Sequence, residues 1–183
     1  DTLDGTLDDP CLAAPPSVCI ERTTYVTIAT LPFTPDGYTV VYQRCCRNGT
    51  IVNINAPGNT GATYFMEIPP AALTGCNNSP VFKDLPNIYL CQYEPINFDH
   101  SVIDADGDSI VYDLYTPYNG ASTGSPTSNN PPPYTQVLWN APYSQTQMLG
   151  PTDPLTIDPN TGVLSGTPFI SGIFLVGVVA REY

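Results

Sequence analysis

Residues 76–114 read CNNSPVFKDLPNIYLCQYEPINFDHSVIDADGDSIVYDL, joining a cysteine-rich front half of the chain to a cysteine-poor back half. Asp99, Asp104, Asp106 and Asp108 fall within ten positions here, and the three in 104–108 are the densest acidic run in the sequence. Short runs of β-branched and aromatic residues stand between the breakers. Residues 87–92 (NIYLCQ), 95–103 and the alternating 109–115 (SIVYDLY) each read as a strand. The stretch is expected to be a joint between two β domains that meet near residues 75–80.

Composition supports an all-β reading outward from that joint. The chain has 183 residues with 21 prolines and 14 glycines, which leave no long uninterrupted segment for a helix. No apolar run is long enough to cross a bilayer as a helix. Seventeen acidic residues face only five basic ones, Arg22, Arg44, Arg47, Lys83 and Arg181. A net charge of −12 repels phosphate backbones and anionic lipid. Nucleic-acid binding and direct membrane insertion are therefore not expected, and the charge suits a secreted protein that meets divalent cations. The six cysteines (Cys11, Cys19, Cys45, Cys46, Cys76 and Cys91) lack the Cys-x-x-Cys or Cys/His spacings of a zinc site. Disulfides in an oxidising compartment are the expected use. The chain starts at Asp1 with no initiator Met or signal peptide and reads as a mature or truncated piece.

Upstream of the joint, residues 1–17 are acidic, Pro-containing and aperiodic, an expected N-terminal arm. Residues 18–31 carry the β-branched enrichment of a strand, followed by the turn Thr34-Pro35-Asp36-Gly37. Residues 38–44 (YTVVYQR), 51–55 and 62–68 (ATYFMEI) are further strands. The vicinal Cys45 and Cys46 follow the first of these, and strand alternation predicts that their sulfurs point apart to different partners. Cys11 and Cys19 could close a short loop around Pro15 and Pro16. Downstream, residues 117–135 form a long Pro/Ser/Asn/Gly loop of a length that tends to be functional or mobile. Residues 136–140, 155–164 and 172–181 complete the strands, with a hairpin turn at 158–162 (DPNTG). The expected division is 1–76, a cysteine-containing β domain with an arm, and 77–183, a second β domain.

Several motifs carry a resemblance. Asn77-Asn78-Ser79-Pro80-Val81-Phe82 resembles the linker of cadherin repeats, and Glu94 with 103–108 (IDADGD) and 110–112 (IVY) is similar to the strands that follow it. Residues 155–168 (LTIDPNTGVLSGTP) resemble the end of a bacterial immunoglobulin-like repeat. YQRCCRNGTIVNI, GNTGATY, NNSPVF, DADGDSIVY and SGTP in that order resemble the cysteine-containing immunoglobulin/cadherin-like regions of large Bacteroidota surface proteins. Those proteins are gliding-motility-associated and leave by type IX secretion. The resemblance implies two tandem immunoglobulin/cadherin-like β-sandwiches, surface display and adhesion, with no reaction. It also implies a calcium cage of Glu94, Asp104, Asp106, Asn77 and Asn78. The family often has cysteines at the positions of Tyr115 and Val179. Their joint absence leaves Cys91 to pair with Cys45, Cys46 or Cys76, and favours Cys11–Cys19.

Each candidate site has a plainer reading beside it. Calcium needs about six to eight hard oxygens, whereas DADGD can also be a simple solvated turn. An EF-hand is excluded, because the sixth place of a loop opening at Asp104 is Ser109 and the twelfth is Tyr115. His100 stands between Asp99 and Ser101 on a strand, where neighbours face opposite ways, so it reads as structural and not as part of a triad. No pair of acids is singled out as a glycosidase couple. Tyr134 and Trp139, with Tyr118 and Tyr143, could stack a sugar, although strand aromatics are more often core. Asn48-Gly49-Thr50 and Asn77-Asn78-Ser79 are N-glycosylation sequons, and Asp108-Ser109-Ile110 resembles a Bacteroidota O-glycosylation motif, making Asn48 and Ser109 glycan-attachment candidates.

The expected function is a non-catalytic, extracellular or cell-surface structural and adhesive module. Its partners would be neighbouring modules of the same chain, identical subunits or surface glycans. A filament subunit assembled by strand addition is the second expectation, because the front half looks short of a strand and an open edge invites pairing. A carbohydrate-binding module is the third.

Overall fold

The two longest strands form where seven-residue runs of β-branched and aromatic residues are bounded by turns, and they face each other. Tyr38–Arg44 and Ala62–Ile68 pair antiparallel along their whole length, from Tyr38↔Ile68 to Arg44↔Ala62. The structure is a computed structural model that describes residues 24–75, 77–84, 89–121 and 131–183, with the backbone of two short strands nearer the N-terminus. In chain order the strands are β1 (Thr2–Leu3), β2 (Ile20–Glu21), β3 (Tyr38–Arg44), β4 (Ala62–Ile68), β5 (Val81–Phe82), β6 (Ile96–Asp99), β7 (Val102–Ile103), β8 (Ile110–Leu114), β9 (Thr156–Ile157), β10 (Val163–Gly166) and β11 (Val178–Glu182). Short 3₁₀ turns occupy Pro57–Asn59 and Pro70–Leu73. No helix among the described residues is long and apolar enough to cross a membrane.

The architecture is all-β, built from several small antiparallel sheets in the manner of a β-sandwich. One sheet has the order β6-β10-β9, and β8 pairs with β11 in another. Period-two alternation sets the inward faces. On β8, Tyr112 and Leu114 are buried while Val111 and Asp113 are exposed. On β10, Leu164 is buried and sits opposite Phe98 of β6 and Ile157 of β9. Leu114, Leu155 and Leu164 join Met148 and Leu149 in the core, rimmed by Ile96, Phe98, Trp139, Ile157, Phe174 and Val178. Each fully buried aliphatic side chain of this kind contributes about 1.5–3 kcal/mol.

Hydrogen bonds cross position 76/77, where the sequence suggests a division. Asn53 is fully buried, and its amide donates to the carbonyls of Met148 (2.9 Å) and Leu175 (2.8 Å). Its Oδ1 accepts from the Leu175 N–H at 2.9 Å. Asn140 reaches back to the carbonyls of Val52 and Ile54, and single β-bridges link Ile51 to Ile173, Ile54 to Trp139 and Thr63 to Tyr118.

Several expectations need correction. Residues 24–31 of the expected strand 18–31 lie outside every sheet and are exposed. Residues 51–55 and 136–140 make isolated bridges and not strands, because their neighbours meet them at single points. The expected strand 95–103 breaks at His100 and Ser101, and 89–92 is irregular and turning. Cys45 and Cys46 do not serve different partners; they are disulfide-bonded to each other across a cis peptide. The reason is local: β3 ends at Arg44, so strand alternation does not govern the pair. Cys91 is also disulfide-bonded, and since Cys45 and Cys46 take each other, its partner lies outside the described residues. Cys11, Cys19 and Cys76, and with them the Cys11–Cys19 pairing, fall there too.

Candidate metal centre

The acidic loop forms because β7 ends at Ile103 and β8 starts at Ile110, leaving Asp104-Ala105-Asp106-Gly107-Asp108-Ser109 to reverse the chain. Gly107 takes φ +83°, a backbone region that L side chains rarely adopt, and this allows the sharp bend. Asp104 Oδ1 accepts three backbone N–H groups, from Asp106 (3.0 Å), Gly107 (2.7 Å) and Asp108 (3.0 Å). These donors, the Asp108 N–H foremost, hold the Asp104 carboxyl below the usual carboxylate range.

Wrapping the loop around Asp104 brings three carboxylates together. One oxygen each from Asp104, Asp106 and Asp108 lie within 4.8 Å of one another. At such separations like charges repel by about 1 kcal/mol per pair even in water. The basic residues seen in ion pairs are engaged elsewhere: Lys83 with Asp99 (3.8 Å) and Arg181 with Asp113 (3.5 Å). Asp104 Oδ2 is shielded from solvent and has no hydrogen-bond partner. An all-oxygen set of this kind suits a hard divalent cation such as calcium.

The expected cage is assembled in part. Asp104 and Asp106 meet, and Asn78 braces Asp106 with its backbone N–H and its side-chain amide. Asn77 instead donates to Glu182 Oε1 at 2.6 Å, at the end of β11. Ser109 and Tyr183 exchange backbone hydrogen bonds beside it (3.3 and 3.0 Å). Glu94 lies in the turn after Cys91 and is not a member of the carboxylate group. Asp99 caps the Ser101 N–H and pairs with Lys83, apart from the other three. Asp108 enters the group, although it was not among the expected ligands. Its position two residues beyond Asp106 was the available signal. Glu182 gave none, being 105 residues from Asn77.

The other candidates are placed as follows. Asn48 is exposed, and its Oδ1 accepts from the Thr50 N–H (3.0 Å) and hydroxyl (2.8 Å). Ser109 is exposed beside the acidic loop. Tyr134 stands 5.6 Å from Phe65 and 6.4 Å from Tyr118, ring centre to ring centre. It helps line a cavity of about 250 Å³ with Thr39, Phe65, Glu67, Tyr118, Pro132 and Pro133. Trp139 is not there: it packs on the rim of the core and donates its indole N–H to Thr116 Oγ1 at 3.0 Å. His100 stacks on Phe82, a structural setting.

Fold and site together define an all-β protein with a cation-competent acidic loop. No protein-family model, curated protein or solved structure matches the chain.

Proposed function

We propose that the chain is a non-catalytic extracellular module, structural or adhesive, of immunoglobulin/cadherin-like type, whose acidic loop takes up calcium. The observation that carries this reading is the convergence of Asp104, Asp106 and Asp108 beneath the brace from Asn78. A cation there neutralises the mutual repulsion and fixes the segment around 77–78 against the ends of β8 and β11. A bending freedom is thereby removed, which is what a surface stalk or adhesin needs. The order of motifs that resembles Bacteroidota surface proteins supports display at the cell surface. The bridges at Cys45–Cys46 and Cys91 support an oxidising compartment.

Asp104, Asp106 and Asp108 would hold the ion, with backbone carbonyls and water completing the shell. Thermal unfolding and small-angle scattering, with calcium and with a chelator, test the reading. Calcium at a hundredfold excess over Kd should stabilise by about 2.7 kcal/mol, and the doubly substituted Asp104→Asn, Asp106→Asn chain should lose that gain. Identical midpoints and scattering curves with calcium and with chelator would overturn it.

A further inference from the structure

We propose that the chain self-associates by strand addition, residues 24–31 of one copy pairing along the free edge of β3 in the next. This goes beyond the calcium-stiffened module and does not depend on it.

The donor is a strand-like sequence without a sheet. Residues 24–31 read TYVTIATL, rich in β-branched residues and uncharged. They make no hydrogen bond with another described residue. Tyr25, Val26 and Ile28 are 85%, 84% and 97% exposed, which leaves their apolar side chains in water.

The acceptor is an edge without a strand. Among the described residues β3 pairs with β4 alone, so its outer edge is open from Tyr38 to Tyr42. Such an edge is a template for another chain. One face of the β3–β4 pair is also uncovered: Val40, Tyr42, Tyr64 and Met66 are 41–56% exposed, with Tyr42 and Tyr64 stacked at 6.3 Å. Val26 and Ile28 share a strand face, and set beside Val40 and Tyr42 they extend this apolar stripe.

Charge and local geometry favour a second copy. Copies of a −12 chain repel, yet no acid lies between Asp36 and Glu67, a span that holds Arg44 and Arg47. The contact therefore forms on the least repulsive part of the surface. Folding back on its own β3 is handicapped. The turn closes at Thr34–Gly37 (3.2 Å), but Pro32 lacks the N–H that a rung opposite Thr39 would need. The Pro32 carbonyl is also taken by the Tyr38 hydroxyl at 2.7 Å. A strand arriving from another molecule does not need that rung. Donor and edge are different surfaces, so the contact is head-to-tail and builds open chains unless it closes into a ring.

Light scattering of the wild-type chain and of Ile28→Pro across the micromolar range tests this. Ile28 is 97% exposed and makes no hydrogen bond among the described residues, so proline there removes a ladder N–H without disturbing the described fold. The wild-type mass should at least double with concentration, in chelator as well as in calcium, while I28P stays monomeric. A labelled peptide of residues 23–31 should bind the I28P chain at least about tenfold more tightly than the same peptide carrying proline at position 28. A wild type that stays monomeric overturns the proposal whatever the peptide does, as does I28P assembling like wild type or a peptide that binds no better than its proline form. Persistence of assembly in chelator separates this result from the fate of the calcium reading.

Discussion

Asn53 shows how much one side chain can hold at the residue scale. Its amide satisfies three backbone groups on two segments, around Met148 and around Leu175, in a fully buried place. Asn53→Ala strands those partners, and we expect a loss of about 2–4 kcal/mol. The measurement is the urea midpoint, which should fall with little change in slope. Sequence alone points the wrong way here. In IVNIN, period-two alternation would send Val52 and Ile54 inward together and Asn53 outward. The structure buries both Asn53 and Ile54 and leaves Val52 39% exposed, because this segment meets its neighbours at single bridges and keeps no strand period. The acidic loop is the opposite case. Asp104, Asp106 and Asp108 sit close along the chain around Gly107, so a local turn suffices to bring them together. Asn78 was legible only through the resemblance of its motif, since its place beside Asp106 depends on how β5 and β7 pair.

Among the elements, β5, β6 and β7 meet around a ring stack. His100, just past β6, lies 4.3 Å from Phe82 of β5 with an interplanar angle of 14°, and 5.7 Å from Phe98 of β6. Burial pulls its pKa below the ordinary 6.5, so the folded protein favours the neutral ring. As pH falls below about 6.5 the unfolded chain takes up this proton first, and stability drops until the folded ring protonates as well. His100 is the only histidine of the chain, so His100→Phe should flatten the melting midpoint between about pH 7 and pH 5 relative to wild type. An unchanged pH profile in the variant would show that the stack does not govern the titration. Strand existence was most legible where both partners are long and alternating. β3 and β4 carry the bounds that their sequences suggest, and the hairpin turn at 158–162 forms with Gly162 at φ +73°. Residues 24–31 look as strand-like as β3, yet no edge among the described residues meets them. Propensity names a candidate strand, and only a partner makes it one.

For the molecule as a whole, unbalanced charge opposes the fold. Seventeen acids meet five bases, and the two ion pairs among the described residues, Lys83–Asp99 and Arg181–Asp113, are both exposed. Such pairs contribute about 0–1 kcal/mol each. Screening the repulsion should therefore stabilise: raising sodium chloride from about 10 mM to about 150 mM should lift the melting midpoint even in chelator. A midpoint that falls or stands still would mean that the acids are too dispersed to matter. The all-β class was legible from the spacing of Pro, Gly and β-branched runs. The pairings β6–β10 and β8–β11 were not, because they join segments more than sixty residues apart on the strength of a shared core. The same distance hid the bonds that fasten residues 51–63 to the back of the chain.

The hydrogen bond between Asn77 and Glu182 sets two points 105 residues apart side by side. A pull entering the chain at one and leaving at the other would not run along the strands. It would open a seam at the end of β8 and β11, loading the rungs from Glu182↔Ile110 inward one after another, which is the weak direction of an antiparallel pair. The acidic loop lies at the mouth of that seam. An ion bound there would act as a rivet at the place where peeling begins.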